Sequence, residues 1–455
     1  MSDTIAAIAT GNVVSAIGII RLSGDNAIEI ISTVFKPTSG NMLTDYPDRT
    51  LVLGTLFSSE GDTLDQCLCT VSHAPNSYTG ENTAELQCHG SPTVLRLAME
   101  TLFSKGVRQA LAGEFTKRAF LNGRMDLTQA EAVIDLIDSE TSEAAKNAAG
   151  QLSGAILQKT GAIYNGLVDI ISHYHAVLDY PDEDIDAFEM KEYESTLENA
   201  KLKLQALLDT FEHGKVMKSG IKAAIVGRPN AGKSSLLNAL VGYERAIVTA
   251  IPGTTRDTIE EAIILGGIKL RLLDTAGLRG TVDPIEKLGV DRAKSAAESS
   301  QLVLAVFDGS EELQKEDTDA IEAAKTAQRS IAVINKSDLS QKINLSAIRE
   351  SFEVVCAVSA LDKTGLDALD KAVSELFPIP NAPAGEILTN SRHADAVGRA
   401  LISIDEAIIA LKSGATPDIV LTEAENALSS LGELTGKTVR EDVTKRIFER
   451  FCVGK

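Results

Sequence analysis

The chain has 455 residues, of which 44% are hydrophobic, and this length predicts more than one domain, each with its own core. The formal net charge of −20 opposes non-specific binding to nucleic acid, because such binding relies on positive charge that neutralises phosphates. The sequence contains no apolar stretch long enough to span a bilayer and no secretory signal, so we expect a cytoplasmic protein with no membrane partner.

The first 118 residues predict a compact α+β domain. Strand patterns occupy residues 15–22, 51–57, 65–72 and 84–88, and helical patterns occupy residues 27–35 and 92–103. Ser91 is placed to cap the second helix, because Pro92 suits the first helical position.

The five cysteines form no C-x-x-C pair, so they predict no disulfide framework. Cys67 and Cys69 alternate along one predicted strand, so we expect both to face the core as small apolar residues. A metal site formed with Cys88 and His89 is the alternative, which the lack of standard zinc spacing disfavours.

Residues 119–216 and 381–455 are predicted as two parts of one helical bundle. Ala- and Leu-rich helical patterns cover residues 127–178, 193–211, 391–411 and 417–434. The acidic stretch YPDED, at residues 180–184, interrupts the first part. We interpret it as a loop before a new helix, with a metal site as the alternative. A proline-rich linker at residues 378–383 separates the second part from residues 217–380, which we interpret as a domain inserted into the bundle.

The inserted domain begins with a phosphate-binding pattern. Residues 227–235 have the sequence GRPNAGKSS, which matches G-x-x-x-x-G-K-[ST], and a buried strand pattern precedes it while a helical pattern follows. Backbone N–H groups of such a loop point at a β-phosphate, and the helix N-terminus adds a favourable dipole. Lys233 is expected to reach the β- and γ-phosphates, and Ser234 to hold Mg²⁺. A glycine-rich turn that binds nothing is the alternative.

Further strand patterns in this domain each end at a polar motif, which predicts a Ras-like parallel α/β sheet with its ligand at the carboxyl ends of the strands. Asp274 in the motif DTAG suits Mg²⁺ through a water, and the Gly277 N–H suits the γ-phosphate. The motif NKSD ends at Asp338, whose carboxylate can accept from the ring N–H and the 2-amine of guanine. Adenine lacks that amine and would leave a buried carboxylate unpaired, so the motif favours GTP over ATP.

Thr255, in the stretch TAIPGTTRD, is expected to coordinate Mg²⁺ and to sense the γ-phosphate, and a plain turn around Pro252 and Gly253 is the alternative. Leu278 follows the DTAG motif where Ras-type GTPases have a glutamine that orients water, and a leucine can neither accept a proton nor position water. Hydrolysis therefore needs another group, for which Glu286 is a candidate. A cation beside the phosphates could replace an arginine finger.

The GTP site is expected to be lined by two groups of residues. The first comprises the phosphate-binding loop and the following loop: Asn230, Ala231, Gly232, Lys233, Ser234, Ser235, Thr249, Ala250, Ile251, Pro252, Gly253, Thr254 and Thr255. The second comprises the later motifs: Asp274, Thr275, Ala276, Gly277, Asn335, Lys336, Asp338, Ser359 and Ala360. Ser359 and Ala360 are expected to offer backbone N–H groups to the guanine carbonyl.

The motifs GRPNAGKSS, GTTRD, DTAGLR and NKSD, together with the terminal CVGK, resemble the tRNA-modification GTPase family MnmE (TrmE). The N-terminal stretches GIIRLSG, NSYTGENTAELQCHG and GEFTKRAFLNGRMDLTQAEAVIDLI and the helical stretch YPDEDID resemble it as well. The resemblance covers nearly the whole chain. The GTPase motifs alone would not separate this family from ribosome-assembly GTPases.

The resemblance implies a multidomain α/β protein: a folate-binding α+β domain at residues 1–118, a helical domain at residues 119–216 and 381–455, and an inserted GTPase domain at residues 217–380. It implies a homodimer joined through the N-terminal domains, which bind 5-formyltetrahydrofolate as a one-carbon donor. With the flavoprotein MnmG (GidA), in a heterotetramer, the family adds an aminomethyl or carboxymethylaminomethyl group to C5 of the wobble uridine of certain tRNAs. Hydrolysis is activated when two GTPase domains meet around K⁺.

The resemblance also implies residue roles. The expected folate contacts are Arg21, Glu85, Arg124 and Lys455, and the expected K⁺ ligands are Asn230, Thr249, Ile251 and Thr254. Glu286 matches the residue that orients water. Cys452 is implied near the modification site, and a half-buried cysteine that packs the last helix is the alternative. Two other functions stay open from the sequence: a ribosome-assembly GTPase, and a GTP-dependent switch or scaffold without one-carbon chemistry.

Overall fold

The computed structural model of the protein describes residues 3–11, 13–179, 190–243, 261–273, 294–380, 382–438 and 441–455. The chain forms two compact units. The first comprises Met1–Ile134, Leu152–Val168 and Glu425–Lys455, and the second comprises Asp135–Gln151 and Asp169–Ala424. The four domain bounds expected from the sequence stay predictions.

The first unit contains a seven-stranded sheet. Its strands are β1 (Ile5–Ile8), β2 (Ser15–Ser23), β3 (Phe35–Pro37), β4 (Val52–Phe57), β5 (Thr63–Ser72), β6 (Thr83–Gly90) and β7 (Arg108–Gln109). Their order across the sheet is β3-β4-β5-β6-β2-β1-β7, and every neighbouring pair except β1–β7 is antiparallel. Helices α1 (Ala27–Val34) and α2 (Pro92–Ser104) contribute buried side chains to the same core. The predicted α+β class is confirmed.

Two local predictions for this unit have different outcomes. Cys67 and Cys69 are both buried on the core face of β5, as the alternation predicted. Burial raises the pKa of the Cys69 thiol, which therefore stays protonated at neutral pH. Ser91 occupies the N-cap position of α2 and Pro92 begins the helix, but the Ser91 hydroxyl makes no capping hydrogen bond.

Six helices occupy the four stretches predicted to be helical: α4 (Leu127–Ile137), α5 (Ser142–Leu152), α6 (Ala155–Asp179), α7 (Met190–Asp209), α13 (Ser391–Lys412) and α14 (Pro417–Thr435). Three further helices lie outside those stretches and were not predicted: α3 (Glu114–Leu121), α8 (Phe211–Ser219) and α15 (Glu441–Phe448). The acidic stretch at residues 180–184 lies outside the described residues.

Helices α7 and α13 lie before and after the inserted domain in sequence, with α8 between α7 and that domain, and they pack against each other in the second unit. Lys412 of α13 forms ion pairs with Glu198 at 2.7 Å and Glu194 at 3.3 Å on α7, and Lys201 of α7 pairs with Asp405 of α13 at 2.5 Å. These ion pairs join a helix that precedes the six-stranded sheet in sequence to one that follows it.

The inserted domain is built on a six-stranded sheet. Its strands are β8 (Ile221–Val226), β9 (Glu261–Leu265), β10 (Ile268–Leu272), β11 (Leu302–Asp308), β12 (Arg329–Asn335) and β13 (Val354–Ala357), and its described helices are α9 (Lys233–Tyr243), α10 (Lys315–Ala324), α11 (Leu345–Ser351) and α12 (Leu366–Leu376). The order is β13-β12-β11-β8-β10-β9, and the first five strands are parallel. Apolar clusters fill both faces, as expected of a parallel sheet covered by helices. The predicted fold of this domain is confirmed.

The antiparallel edge strand β9 was not predicted from the sequence. It forms a hairpin with β10 through Gly266 and Gly267, whose φ angles are 62° and 73°. Both angles are in the left-handed region that glycine adopts at little cost. A Gly-Gly pair between two apolar runs is a hairpin signal, so the element was readable from the sequence.

Candidate functional site

The phosphate-binding loop runs from the end of β8 to the start of α9, the strand–loop–helix order that its motif requires. Gly227 and Gly232 have positive φ angles of 151° and 94°. A Cβ atom would lie 2.4 Å from the Val306 carbonyl oxygen at Gly227, and 2.0 Å from Asn335 Nδ2 at Gly232. Both glycines are therefore required by close contacts as well as by backbone conformation. Asn230 is a non-glycine residue with a φ of 63°.

Lys233 lies at the first position of α9 and bends back over the loop. Its Nζ donates to the carbonyl oxygens of Gly227, at 2.7 Å, and Arg228, at 2.9 Å. Burial lowers the pKa of the Lys233 ammonium, because a charged group is less well solvated there. The loop thus holds a partly desolvated cation with two carbonyl partners. Ser234 and Ser235 follow in the first turn of the same helix.

Asn335, the last residue of β12, connects the phosphate-binding loop to the loop after β13. Its Nδ2 donates to the Ala231 carbonyl at 3.1 Å, and its Oδ1 accepts from the Ala360 N–H at 3.1 Å. The side chain is buried, so these bonds are formed away from water. Three predicted parts of the GTP site are brought together by this one residue.

Asp338 is exposed in the turn that follows β12. Ser359 and Ala360 are buried beyond β13, where Ser359 forms a bridge with Thr364. The carboxylate predicted to read guanine is therefore in contact with solvent, whereas the backbone of Ser359 and Ala360 is buried.

Asp308 ends β11 and was given no role from the sequence, although it is a charged residue that terminates a fully buried strand. Its Oδ2 lies 2.5 Å from Lys336 Nζ, and its Oδ1 accepts from the Ser310 hydroxyl at 2.6 Å. Burial alone would raise its pKa, but the bonds from Lys336 and Ser310 outweigh burial and hold the pKa below its usual value. Asp308 is therefore ionised and holds the lysine of the NKSD motif in place through an ion pair.

Arg228 of the phosphate-binding loop belongs to the same charged network. Its guanidinium lies 2.6 Å from Glu311, 3.5 Å from Asp317 and 3.9 Å from Asp308. Asp317 is buried in the first turn of α10, and burial raises its pKa. These contacts attach the phosphate-binding loop to α10 and, through Asp308, to the NKSD motif.

Several expected site residues lie outside the described residues. They are Thr249, Ala250, Ile251, Pro252, Gly253, Thr254 and Thr255 of the second loop, Asp274, Thr275, Ala276 and Gly277 of the DTAG motif, and Glu286. Their predicted roles in binding Mg²⁺, K⁺ and the attacking water stay predictions.

Two of the four residues expected to contact folate form an ion pair in the first unit. Arg21 on β2 and Glu85 on β6 are opposite each other in the sheet, and Arg21 Nε donates to Glu85 Oε1 at 2.7 Å. The Arg21 guanidinium also lies 5.5 Å from the centre of the Tyr78 ring and 5.8 Å from that of Phe115. The arrangement combines a cation, a carboxylate and aromatic faces, which suits a planar, hydrogen-bonding ligand.

The other two expected folate contacts are on separate loops of this unit. Arg124 follows α3, and its side-chain stem would be 3.2 Å from a Cβ atom at Gly80. Lys455 is the last residue, and its backbone N–H lies 3.4 Å from the Cys452 carbonyl oxygen. The role of both side chains in ligand binding stays a prediction.

The terminal CVGK segment is bound to the first unit. Val453 forms an antiparallel bridge with Ala112, and a Cβ atom at Gly454 would lie 2.6 Å from the Ile8 carbonyl oxygen. Cys452 is a free, exposed cysteine. The choice between a thiol that acts near the modification site and a cysteine that packs the last helix stays a prediction.

Two family models match consecutive parts of the chain. The model described as GTP-binding protein TrmE N-terminus matches residues 4–124, and the model described as MnmE helical domain matches residues 127–452. The chain belongs to the MnmE family. The resemblance found in the sequence, and with it the expected membership of a GTPase family, is confirmed.

Named members of the MnmE family align with the whole chain. The protein "tRNA modification GTPase MnmE" of Clostridioides difficile (strain 630) is 42% identical over an alignment of 461 positions, which covers 100% of both chains. The protein of the same name from Syntrophotalea carbinolica is 41% identical, with 100% of this chain and 99% of that protein covered. A crystal structure of Era in complex with MgGDPNP and a segment of 16S ribosomal RNA is 26% identical and covers 40% of this chain and 66% of Era, with a TM-score of only 0.28.

The described residues of this MnmE-family chain contain no helix that is both long and apolar enough to cross a membrane.

Proposed function

We propose that this chain hydrolyses GTP and takes part in tRNA modification, in which it works with a flavoprotein to add an aminomethyl or carboxymethylaminomethyl group to C5 of a wobble uridine. The observation that carries the proposal is the full-length alignment with proteins named tRNA modification GTPase MnmE. The geometry of the phosphate-binding loop supports the GTPase part independently, because its glycines, its buried lysine and its link to Asn335 match the needs of a bound nucleotide.

Nucleotide binding would use groups that already have partners in the fold. Lys233 would exchange the carbonyls of Gly227 and Arg228 for β- and γ-phosphate oxygens, and the phosphates would relieve the cost of a desolvated ammonium. Ser234 would hold Mg²⁺, which neutralises charge on the phosphates. The guanine would be read by the carboxylate of the NKSD motif, whose lysine stays aligned by its ion pair at the end of β11.

Hydrolysis is proposed to depend on a pair of GTPase domains, one from each protomer of a homodimer. Asn230, Thr249, Ile251 and Thr254 would hold K⁺, which supplies the positive charge that an arginine finger supplies in other GTPases. Asn230 lies in the phosphate-binding loop with a left-handed backbone, a conformation that asparagine tolerates better than most residues. Glu286 would orient the attacking water, since the leucine after the DTAG motif cannot.

The N-terminal unit is proposed to bind 5-formyltetrahydrofolate. Glu85 would accept hydrogen bonds from the amino and ring N–H groups of the pterin, while Arg21, fixed between Glu85 and two aromatic rings, would bind an oxygen of the ligand. The exposed Cys452 and the terminal Lys455 are proposed to act close to the one-carbon unit.

The test is nucleoside analysis of tRNA from a host that lacks its own copy of this protein. Expression of the wild-type chain should restore the modified wobble uridine, whereas Arg21→Ala should not, although its GTPase rate stays at the wild-type level. The matched control uses Arg96, an exposed arginine of α2 that pairs with Glu100: Arg96→Ala should restore the nucleoside fully. Unchanged tRNA with a corrected ribosomal-subunit profile would instead favour the ribosome-assembly function.

A further inference from the structure

Three side chains of the types that bind metals lie close together in the first unit, apart from the Arg21–Glu85 pair. Asp65 and Cys67 belong to β5 and Cys88 belongs to β6, and one ligand atom from each lies within 4.8 Å of the other two. Cys67 and Cys88 are 4% and 2% exposed, so both thiols are away from solvent.

The strand register explains why these side chains meet. Leu68 of β5 is paired with Gln87 of β6 in an antiparallel arrangement. Cys67 precedes Leu68 and Cys88 follows Gln87, so the two cysteines are opposite each other on the same face of the sheet. Asp65 precedes Cys67 by two residues and therefore shares that face. The grouping is set by the backbone and needs no unusual side-chain conformation.

Apolar side chains enclose the two thiols. On the neighbouring strands, Gly54 of β4 is paired with Cys67 and Gly18 of β2 is paired with Cys88. Because both partners are glycines, no side chain of β4 or β2 lies beside the two thiols at these positions. The space over Gly54 is filled by the Phe35 ring, 2.4 Å from a Cβ position, and the space over Gly18 by Leu95, 2.5 Å from a Cβ position. Phe35 and Leu95 therefore flank the two thiols, which face each other and the Asp65 carboxylate.

The Asp65 carboxylate is oriented by His89. The His89 backbone N–H donates to Oδ2 at 2.8 Å, and its ring Nδ1 lies 2.7 Å from Oδ1. Because carboxylate oxygens only accept, the ring nitrogen donates, and each oxygen keeps a lone pair for another partner. Carboxylates that bind metals are commonly held by such outer hydrogen bonds.

We propose that Asp65, Cys67 and Cys88 bind one zinc-class divalent cation, which joins β5 to β6 and leaves a fourth position for a solvent molecule. Two thiolates select a borderline-soft ion over Mg²⁺ or Ca²⁺. Zn–S bonds of about 2.3 Å and Zn–O bonds of about 2.0–2.2 Å place tetrahedral ligand atoms roughly 3.5–3.8 Å apart. The ligand atoms here lie within 4.8 Å of one another, so metal binding would draw them closer by at most roughly 1.3 Å. The metal site considered from the sequence included Cys69 and His89 as ligands. The site proposed here includes neither of them and adds Asp65.

The test is a Co²⁺ titration of the full-length protein after metal removal under reducing conditions. The wild type should bind about one equivalent with a thiolate-to-cobalt charge-transfer band that Zn²⁺ abolishes. Cys88→Ser should weaken binding by at least about 100-fold, whereas Cys69→Ser, a matched change two residues from Cys67 on the same face, should leave the band intact.

A second variant tests the site without changing a buried residue. His89 is exposed, so His89→Ala should fold normally and lower Co²⁺ affinity by about 10–100-fold through loss of the outer hydrogen bond. A wild-type protein without the charge-transfer band, or a Cys88→Ser protein that binds Co²⁺ as tightly as the wild type, would overturn the proposal. The readout is independent of GTP hydrolysis and of tRNA modification.

Discussion

At the scale of single residues, an ion pair holds the lysine of the NKSD motif at the end of the sheet. The parallel pairing of β11 with β12 places Asp308 beside that motif, and its Oδ2 lies 2.5 Å from Lys336 Nζ. One acidic residue at the end of a strand has no pattern of its own, so the role of Asp308 follows only from this pairing. Lys233 and Asn335 each occupy a fixed place in a pattern that binds nucleotides, so both were predictable from the sequence.

Asp308→Asn should lower the stability of the protein in a pH-dependent way. The folded-state pKa of Asp308 is lowered, so its ionised form stabilises the fold at pH values above its unfolded pKa of about 3.9 and loses that effect as the pH falls through the folded-state pKa. The difference in urea midpoint between wild type and variant should therefore be largest near neutral pH and shrink below about pH 4.

The control for this prediction is Asp319→Asn, an exposed aspartate of α10, which should have the same midpoint as the wild type at every pH. A constant difference between the Asp308 variant and the wild type across the whole pH range would contradict the assigned ion pair.

At the scale of elements, long periodic segments were predicted well and short ones less well. The helices Ser391–Lys412 and Pro417–Thr435 were expected within one residue of their observed ends. The short edge strand β9 was missed, because it carries no polar motif at its end. Its Gly-Gly turn was nevertheless a local signal present in the sequence.

The β9–β10 turn offers a matched pair of substitutions. A Cβ atom at Gly266 would lie 2.7 Å from the Ser374 backbone nitrogen, whereas one at Gly267 would have no neighbour within 4 Å. Both residues have positive φ, so Gly267→Ala should cost about 1 kcal/mol from backbone strain alone. Gly266→Ala should cost about 1–2 kcal/mol more, measured by chemical unfolding. Equal losses would mean that α12 does not approach the turn this closely.

At the scale of the whole molecule, the family was recognisable because its motifs are distributed along the entire chain, and both family models then matched in the expected order. The exposure of Cys452 could not be predicted, because it depends on how the CVGK segment pairs with Ala112, about 340 residues earlier in the chain. The proposed activation by paired GTPase domains also belongs to this scale.

Pairing around K⁺ predicts a specific ion dependence. At equal ionic strength, the GTPase rate of the wild type should be at least about 10-fold higher in K⁺ than in Na⁺, since a bound cation stabilises charge that develops on the phosphates. Asn230→Ala should remove most of this difference while the affinity for GDP stays close to that of the wild type. Equal rates in K⁺ and Na⁺ for the wild type would contradict the mechanism.

The central claim is that GTP hydrolysis at this site drives tRNA modification, and exchanging the nucleotide that the site reads tests it most directly. In Asp338→Asn, the new side-chain amide can donate to the 2-oxygen of xanthine, and the carboxylate that accepts from guanine is lost. The nucleotide preference should therefore shift from GTP towards XTP by at least about 100-fold.

The measurement is a reconstituted tRNA-modification reaction with the flavoprotein partner, run with GTP, with XTP and without nucleotide. We predict that the Asp338→Asn variant modifies the wobble uridine with XTP and not with GTP, and that the wild type does the reverse. Modification by the variant with GTP at the wild-type rate, or by the wild type with no nucleotide, would contradict a function in which GTP hydrolysis drives the modification.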